Sequence, residues 1–322
     1  MPDLNVGGQA VIEGVMMRSK DRIATAVRIP NGEILVKIEN YKSLTARSKV
    51  LNVPIIRGAV VFVEMLVIGI KTLNFSAEIA VRELEKEEAA KKGEAYTEKR
   101  KKGNSLILAM TAIFALALGV GLFFFLPLAI ASVFNINKDA MLFNLIAGII
   151  RITIFVVYVW GISLFSDFKR IFQYHGAEHK SIYAYEMGDE LTPERAAHHT
   201  RLHPRCGTSF ILIVALLAIL IYAVSDSLYT LWVGHPPTLL ARFGVHISLL
   251  PLVAGSSYEL LKLSGKTRHS ALTRFLIAPG LWLQKITTRE PSADQLEVGI
   301  AALEAALGIT ESKLSCRRIA AP

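Results

Sequence analysis

Residues 105–133 read SLILAMTAIFALALGVGLFFFLPLAIASV and carry no charged side chain. A helix crosses a hydrocarbon layer about 30 Å thick with about 20 apolar residues, so this stretch is long enough to span a bilayer. Pro127 stands near its end, where a kink is expected. Ala140–Phe165, Phe210–Val233 and Phe243–Leu263 have the same character, although the last is interrupted by His246, Pro251 and Glu259. Of the 322 residues, 52% are hydrophobic. That composition belongs to a polytopic membrane protein rather than an ordinary soluble domain, so the lipid bilayer is the first expected partner.

The basic residues set the expected orientation. Arg82, Lys86, Lys91, Lys92, Lys99, Arg100, Lys101 and Lys102 precede the first span, whereas Lys138 alone lies between the first and second. Lys169, Arg170, Lys180, Arg195, Arg201 and Arg205 lie between the second and third, and little beyond Arg242 between the third and fourth. Lys262, Lys266, Arg268, Arg274, Lys285 and Arg289 follow. This alternation predicts both termini and the loop 166–209 on the cytoplasmic side. It also accounts for the net charge of +9 without nucleic acid, because the charge clusters beside apolar spans. Cys206 and Cys316 are the only cysteines, which suits a reducing compartment and no disulfide framework. The first residues lack the basic and apolar regions of a signal peptide.

The regions outside the spans are smaller. Residues 1–57 form a cytoplasmic region containing a β-hairpin, with strand-like runs at Gln9–Arg18, Ile23–Ile29 and Ile34–Ile38 and a turn at Pro30-Asn31-Gly32-Glu33. Its glycines do not form a phosphate loop, because the Gly-Lys-Ser/Thr ending and the following helix are missing. Residues 58–82 are expected to be an interfacial or re-entrant helix: Gly58–Ile70 is apolar with Glu64 inside it, and both flanks are basic. Residues 83–104 are charged and read as a solvated helix or a flexible linker. The four-helix core is expected over 105–263, with the His-rich loop 166–209. In the cytoplasmic region 264–322, a capping box at Ser292–Gln295 opens an amphipathic helix over 292–308. The predicted fold is therefore mainly α: about four transmembrane helices, one interfacial or re-entrant helix and a small β-containing N-terminal region.

The chemistry concentrates in Tyr174-His175-Gly176-Ala177-Glu178-His179, an H-x-x-E-H pattern. On a helix His175 and His179 lie one turn apart on one face and can bind one divalent metal, zinc by ligand type. Glu178 beside them is placed to act as general base on a metal-bound water. His203 and Cys206 fall just before the third span, on the same side, and are further candidate ligands. Glu259 is a carboxylate inside an apolar span at matching depth and is a candidate third ligand, with Glu186 and Asp189 as nearer competitors and an ion pair as the alternative reading. His198 and His199 read as solvated, Glu64 as part of a polar helix face, and Tyr174, Tyr183 and Tyr185 as an interfacial aromatic belt.

Three strings, GGQAVIEGVMMR at 7–18, YHGAEHK at 174–180 and HPRCGT at 203–208, resemble the YqhQ-like family of bacterial membrane proteins, and the likeness extends over most of the chain. The family's defining domain is of unknown function, and its members are sometimes described as predicted metal-dependent enzymes. The resemblance implies a bacterial cytoplasmic membrane and draws attention to Gly7–Arg18, where Glu13 and Arg18 are candidates to cover the site. It supplies no reaction.

The leading functional expectation is a zinc-dependent membrane hydrolase at the cytoplasmic face, acting on a peptide, a lipid or another amphiphile. The alternative is a non-enzymatic membrane protein whose metal is structural and which recruits a cytoplasmic partner. A transporter has little support in a four-span chain without repeats. A thiol mechanism, with Cys206 as nucleophile and His203 as base, is a further enzymatic variant.

Overall fold

The computed structural model describes residues 6–93, 105–134, 140–266, 271–309 and 316–319. Strands β1 (Gly7–Val11), β2 (Gly14–Arg18), β3 (Arg22–Arg28) and β4 (Ile34–Asn40) form an antiparallel meander. The run Gln9–Arg18 folds back on itself at Ile12-Glu13, where Glu13 takes a left-handed φ of 53°. Side chains alternate between the two faces of the sheet, as the pleat requires. Val15, Met17, Ala24, Ala26, Ile34 and Val36 face one way, and Val11, Met16, Ile23, Val27 and Leu35 the other. Both sets are buried, so the sheet lies between two helical layers.

Beyond the sheet, the short helix α1 (Leu44–Arg47) leads to α2 (Ile56–Lys92), a single helix of 37 residues. The expected boundary at residue 82 is therefore not there: residues 83–92 take the solvated-helix alternative, and 94–104 lie outside the described residues. Ile79, Phe75 and Ile68 of α2 pack on the second face of the sheet. Glu64 is used locally, accepting hydrogen bonds from Leu44 N and Ser43 Oγ, both at 2.7 Å, at the start of α1. Among the described residues, α2 does not reach the apolarity that a membrane crossing needs.

The apolar part begins with α3 (Ser105–Val120), a π-helical turn at Gly121–Phe125, and α4 (Leu126–Val133). Next come α5 (Ala140–Ile162), α6 (Ser166–Met187), α7 (Pro193–Ala197) and α8 (Gly207–Val233), then α9 (Leu239–Ser248) and α10 (Leu250–Lys266). Among the described residues, three helical runs are long and apolar enough to cross a membrane: Ile113–Val133, Ala140–Ile162 and Phe210–Val233. The expected fourth span is a pair, α9 and α10, bent by 49°. Pro251, in the first turn of α10, has no N–H to continue the ladder across that break. The loop expected at 166–209 is largely helical, and α6 continues the chain only three residues after α5 ends.

The chain closes with α11 (Ala271–Thr287), α12 (Ala293–Leu307) and β5 (Cys316–Ile319). The predicted capping box is present, with Ser292 and Gln295 satisfying each other's backbone N–H. Helix α12 is buried on most of its surface rather than on one stripe, because α6, α7 and the sheet surround it. Strand β5 adds to the edge of β4 in parallel, an element that the sequence did not signal. Helices α6 and α12 cross at Gly299, where a Cβ would stand 2.7 Å from Ser181 Oγ and 3.2 Å from the carbonyl oxygen of Ala177. Gly299→Val should therefore force the two helices apart and cost about 1–3 kcal/mol of stability. A lower unfolding midpoint in thermal scans of detergent-purified protein is the expected result.

Candidate metal centre

Helix α6 presents His175 and His179 on one face, with ring centroids 4.4 Å apart. The imidazoles are oriented by main-chain carbonyls. His175 Nδ1 lies 2.8 Å from the carbonyl oxygen of Thr287, and His179 Nδ1 lies 2.5 Å from that of Arg201. A carbonyl can only accept, so both Nδ1 atoms carry a proton, and in the neutral form of each ring Nε2 keeps a lone pair. Thr287 is the last residue of α11, where a helix leaves carbonyls without intrahelical partners. His175 Nε2 lies 3.2 Å from Cys206 Sγ. One ligand atom from each of His175, His179 and Cys206 lies within 4.8 Å of the other two. Zinc–nitrogen and zinc–sulfur bonds of about 2.0–2.3 Å would place such atoms about 3.3–3.6 Å apart in a tetrahedron, so the cluster is close to the right size.

Glu178, at the centre of the motif, is buried, and its Oε2 has no hydrogen-bond partner among the described residues. Burial pushes its carboxyl up to about 8, with His175 and the backbone N–H of Gly8 opposing the shift and Cys206 adding to it. Strand β1 covers it: a Cβ on Gly8 would stand 2.8 Å from Glu178 Cγ. This contact gives Gly7–Arg18 a structural role. Further along that segment, Glu13 pairs with Arg170 of α6 and lies 3.3 Å from Tyr174 Oη, while Arg18 lies over the ring of Tyr41. Burial, reinforced by His175, pushes the pKa of His179 down, which favours the neutral, ligating form.

The other candidates are placed differently. Glu259 does not join the cluster. Arg57 Nε donates to Glu259 Oε1 at 2.6 Å across the α2–α10 contact, so the ion-pair alternative is the one observed. His203 lies behind the cluster, with its ring 5.6 Å from that of His179 and 4.6 Å from that of Tyr183. Its Nδ1 accepts from Arg205 N and its Nε2 lies 3.5 Å from Glu186 Oε1. Glu186 is also paired with Arg205, and Asp189 is held by His199 at 2.7 Å, so neither competes as a ligand. Tyr174 is buried against the sheet and α12 rather than in an interfacial belt. Sequence reasoning missed Gln284, which grips the backbone of His203 with bonds of 2.7 and 2.8 Å, and Arg201, whose guanidinium reaches Thr288. Neither sits in a motif, and α11 carries no pattern that would have marked its end as part of a site.

These features define a mainly helical protein with three to four apolar helices of membrane-crossing length, a small covered sheet and a His-His-Cys cluster. The chain belongs to the family described as protein of unknown function (DUF1385), whose model matches residues 53–309. It is 33% identical over 300 residues to the uncharacterized protein YqhQ of Bacillus subtilis (strain 168), covering 91% of this chain and 89% of that one. No solved structure matches it. The family match contains the whole cluster and leaves out strands β1–β4.

Two outcomes test this geometry. A Cβ on Gly176 would stand 2.1 Å from the carbonyl oxygen of Arg289, so Gly176→Ala should push residues 287–291 off α6 and take Thr287 from His175. Loss of such an orienting bond costs about 10- to 100-fold in metal affinity, which zinc titration would read. The second outcome concerns pH. Glu178 binds its proton more tightly when folded than when unfolded, so the metal-free protein should lose stability as pH rises from 4.5 towards about 8. Glu178→Gln should flatten that slope in thermal scans.

Proposed function

We propose that the chain is a multi-pass protein of the bacterial cytoplasmic membrane, with both termini and the His-His-Cys cluster on the cytoplasmic side. Its proposed activity is metal-dependent hydrolysis. The alternation of Lys and Arg supports the orientation. The position of the cluster agrees with it, because Cys206 immediately precedes α8 and α6 begins just after α5, at one end of the apolar bundle.

The observation that carries the metal reading is the shared arrangement of the two histidines. Each gives its Nδ1–H to a backbone carbonyl and keeps Nε2 for the space shared with Cys206. Zinc suits a set of two imidazoles and a thiolate, so His175, His179 and Cys206 would hold it, and it would supply a Lewis acid that activates water. His203, Gln284 and Arg201 serve as the frame of the site. Glu178 beside the histidines would serve as the base towards water activated there; its raised pKa lies in the range where general acid–base catalysis is efficient near neutral pH. The substrate is a peptide, a lipid or another amphiphile reaching the membrane face.

A thiol mechanism is a second reading, supported by the 3.2 Å approach of His175 Nε2 to Cys206 Sγ. In it His175, oriented by Thr287, replaces His203 as the base. Elemental analysis of detergent-purified protein separates these readings. Near-stoichiometric zinc is expected in the wild type and is lost in His175→Ala/His179→Ala and in Cys206→Ser. Glu178→Gln is expected to keep the metal and to lose about 100-fold or more of any hydrolysis found in a peptide and lipid-ester screen. Metal-free wild type whose activity dies with Cys206→Ser would establish the thiol reading. Stoichiometric metal with no effect of Glu178→Gln would leave a structural site that serves partner recruitment.

A further inference from the structure

The segment between the sheet and α2 is a hairpin whose tip carries no charge: residues 50–56 read VLNVPII. The chain leaves β4, passes through α1 and a 3-10 turn at Val50–Asn52, reverses at residues 53–55 and returns as α2. The two arms are tied together away from the tip, where Glu64 of α2 accepts from Leu44 N and Ser43 Oγ. At the tip, Val50 is 73% exposed, Val53 47% and Ile56 46%. Helix α2 continues the exposed apolar surface with Val63, Leu66, Val67 and Ile70. An exposed apolar run of this length marks an interaction surface, unlike single apolar residues scattered over a protein.

The fold fixes the tip against the apolar bundle. A Cβ on Gly58 of α2 would stand 2.7 Å from the carbonyl oxygen of Gly255 in α10, and a Cβ on Gly255 would collide with the carbonyl oxygen of Ile55. Main chain thus meets main chain, and Arg57 pairs with Glu259 beside that contact. Phe62 meets Phe210, at the start of the third span, with ring centroids 5.9 Å apart. At about 1.5 Å per residue, Gly255 lies about 10 Å along α10 from Lys262, and Ile56 about 12 Å along α2 from Glu64. With α10 in a bilayer, the tip therefore sits about 10 Å below the level of Lys262, at the edge of the hydrocarbon, where its apolar side chains meet lipid chains instead of water.

The charges around the tip have one sign. Over residues 41–77 the charged side chains are Lys42, Arg47, Lys49, Arg57, Lys71 and the lone acid Glu64. Arg57 is held by Glu259, and Glu64 by the start of α1. Lys42, Arg47, Lys49 and Lys71 are exposed and have no ion-pair partner among the described residues. Lys42, Arg47 and Lys71 line a groove of about 620 Å³ together with Val60, Val63 and Val67 of α2. Glu39, at the same groove, is paired with Lys37 at 3.3 Å. Cations beside an apolar lining match a phospholipid phosphate and its acyl chains, and long basic side chains reach from an inserted segment to the phosphate level. Acids return from Glu78 onwards, along the solvated part of α2. We propose that residues 41–73 form a re-entrant hairpin, which inserts residues 50–56 into an anionic phospholipid leaflet and holds lipid phosphates with Lys42, Arg47, Lys49 and Lys71. The inserted part is the loop before α2, which composition alone assigns to the cytoplasmic β-containing region. The proposal rests on the membrane placement proposed above and is independent of the metal.

The test uses the full chain in nanodiscs of equimolar phosphatidylglycerol and phosphatidylcholine. Photoreactive p-benzoylphenylalanine is placed at one exposed position at a time, and its adducts are read by mass spectrometry. Val50 and Val53 report on the tip, Leu44 on the lipids beside the cations, Leu84 on the solvated part of α2 and Leu220 on the third span. Lipid adducts are expected at Val50, Val53 and Leu220 and not at Leu84. At Leu44, phosphatidylglycerol adducts should exceed phosphatidylcholine adducts by about fivefold or more, the factor that one basic residue contributes near an anionic surface. Replacing Lys42, Arg47, Lys49 and Lys71 together by Gln should reduce that ratio to the one found at Leu220, while the lipid adduct at Val53 persists. Lipid adducts at Leu220 with none at Val50 and Val53 would overturn the hairpin and leave the membrane reading standing. Absence of lipid adducts at Leu220 as well would remove both. Adducts from Val50 or Val53 to a second copy of the chain would assign the tip to a protein interface and overturn the proposal. A ratio at Leu44 that is unchanged by the four substitutions would overturn the phosphate assignment.

Discussion

The close approach of residues 287–291 to α6 is the constraint on which most of the arrangement rests. A Cβ on Gly176 would stand 2.1 Å from the carbonyl oxygen of Arg289, and Arg289 N donates to the carbonyl oxygen of Phe172 at 2.8 Å. Main chain therefore lies directly against main chain. That contact brings the end of α11 to His175, so that the Thr287 carbonyl fixes the imidazole. It also sets where α12 begins, at the capping box three residues further on. From there α12 crosses α6 at Gly299 and covers the sheet with Val298, Ala302 and Leu303. One contact without side chains thus joins the apolar bundle, the cluster and the β region.

Buried polar groups follow a common pattern in this protein. Each charge set within an apolar region has a specific partner: Arg57 with Glu259, Arg242 with Asp226. Such pairs add little net stability, because desolvation offsets most of their attraction, but losing one member strands the other. Glu178 and Arg151 are among the exceptions. Glu178 keeps an unpartnered oxygen beside the histidines, and Arg151 keeps an unpartnered nitrogen beside an apolar cavity. Unsatisfied buried atoms are uncommon in folded chains, and that of Glu178 lies beside the candidate metal ligands.

The apolar helices were legible because hydrocarbon length and the absence of charge are written in consecutive residues. The capping box at Ser292 and the apolar strand runs at Ile23–Ile29 and Ile34–Ile38 were legible for the same reason. Glu259 misled because depth in a span was a one-dimensional clue, and it could not show that Arg57, 202 residues away in sequence, faces it. The break at 82 was read from composition, but α2 continues into solvent beyond the sheet because Glu83, Leu84 and Lys86 are good helix formers. Strand β5 is a four-residue piece that gains its structure only from the edge of β4.

By itself, the sequence determined the class of the molecule and the histidine pair. Apolar run length fixes which segments can cross a bilayer, and the i, i+4 spacing fixes that His175 and His179 share a face. Only the tertiary structure decided the third member of the cluster, the tautomers and the pairing of Glu259. Each of these depends on atoms from segments distant in sequence, and on main-chain carbonyls that every residue possesses. No side-chain pattern could announce that the carbonyls of Thr287 and Arg201, rather than any others, would meet the two imidazoles.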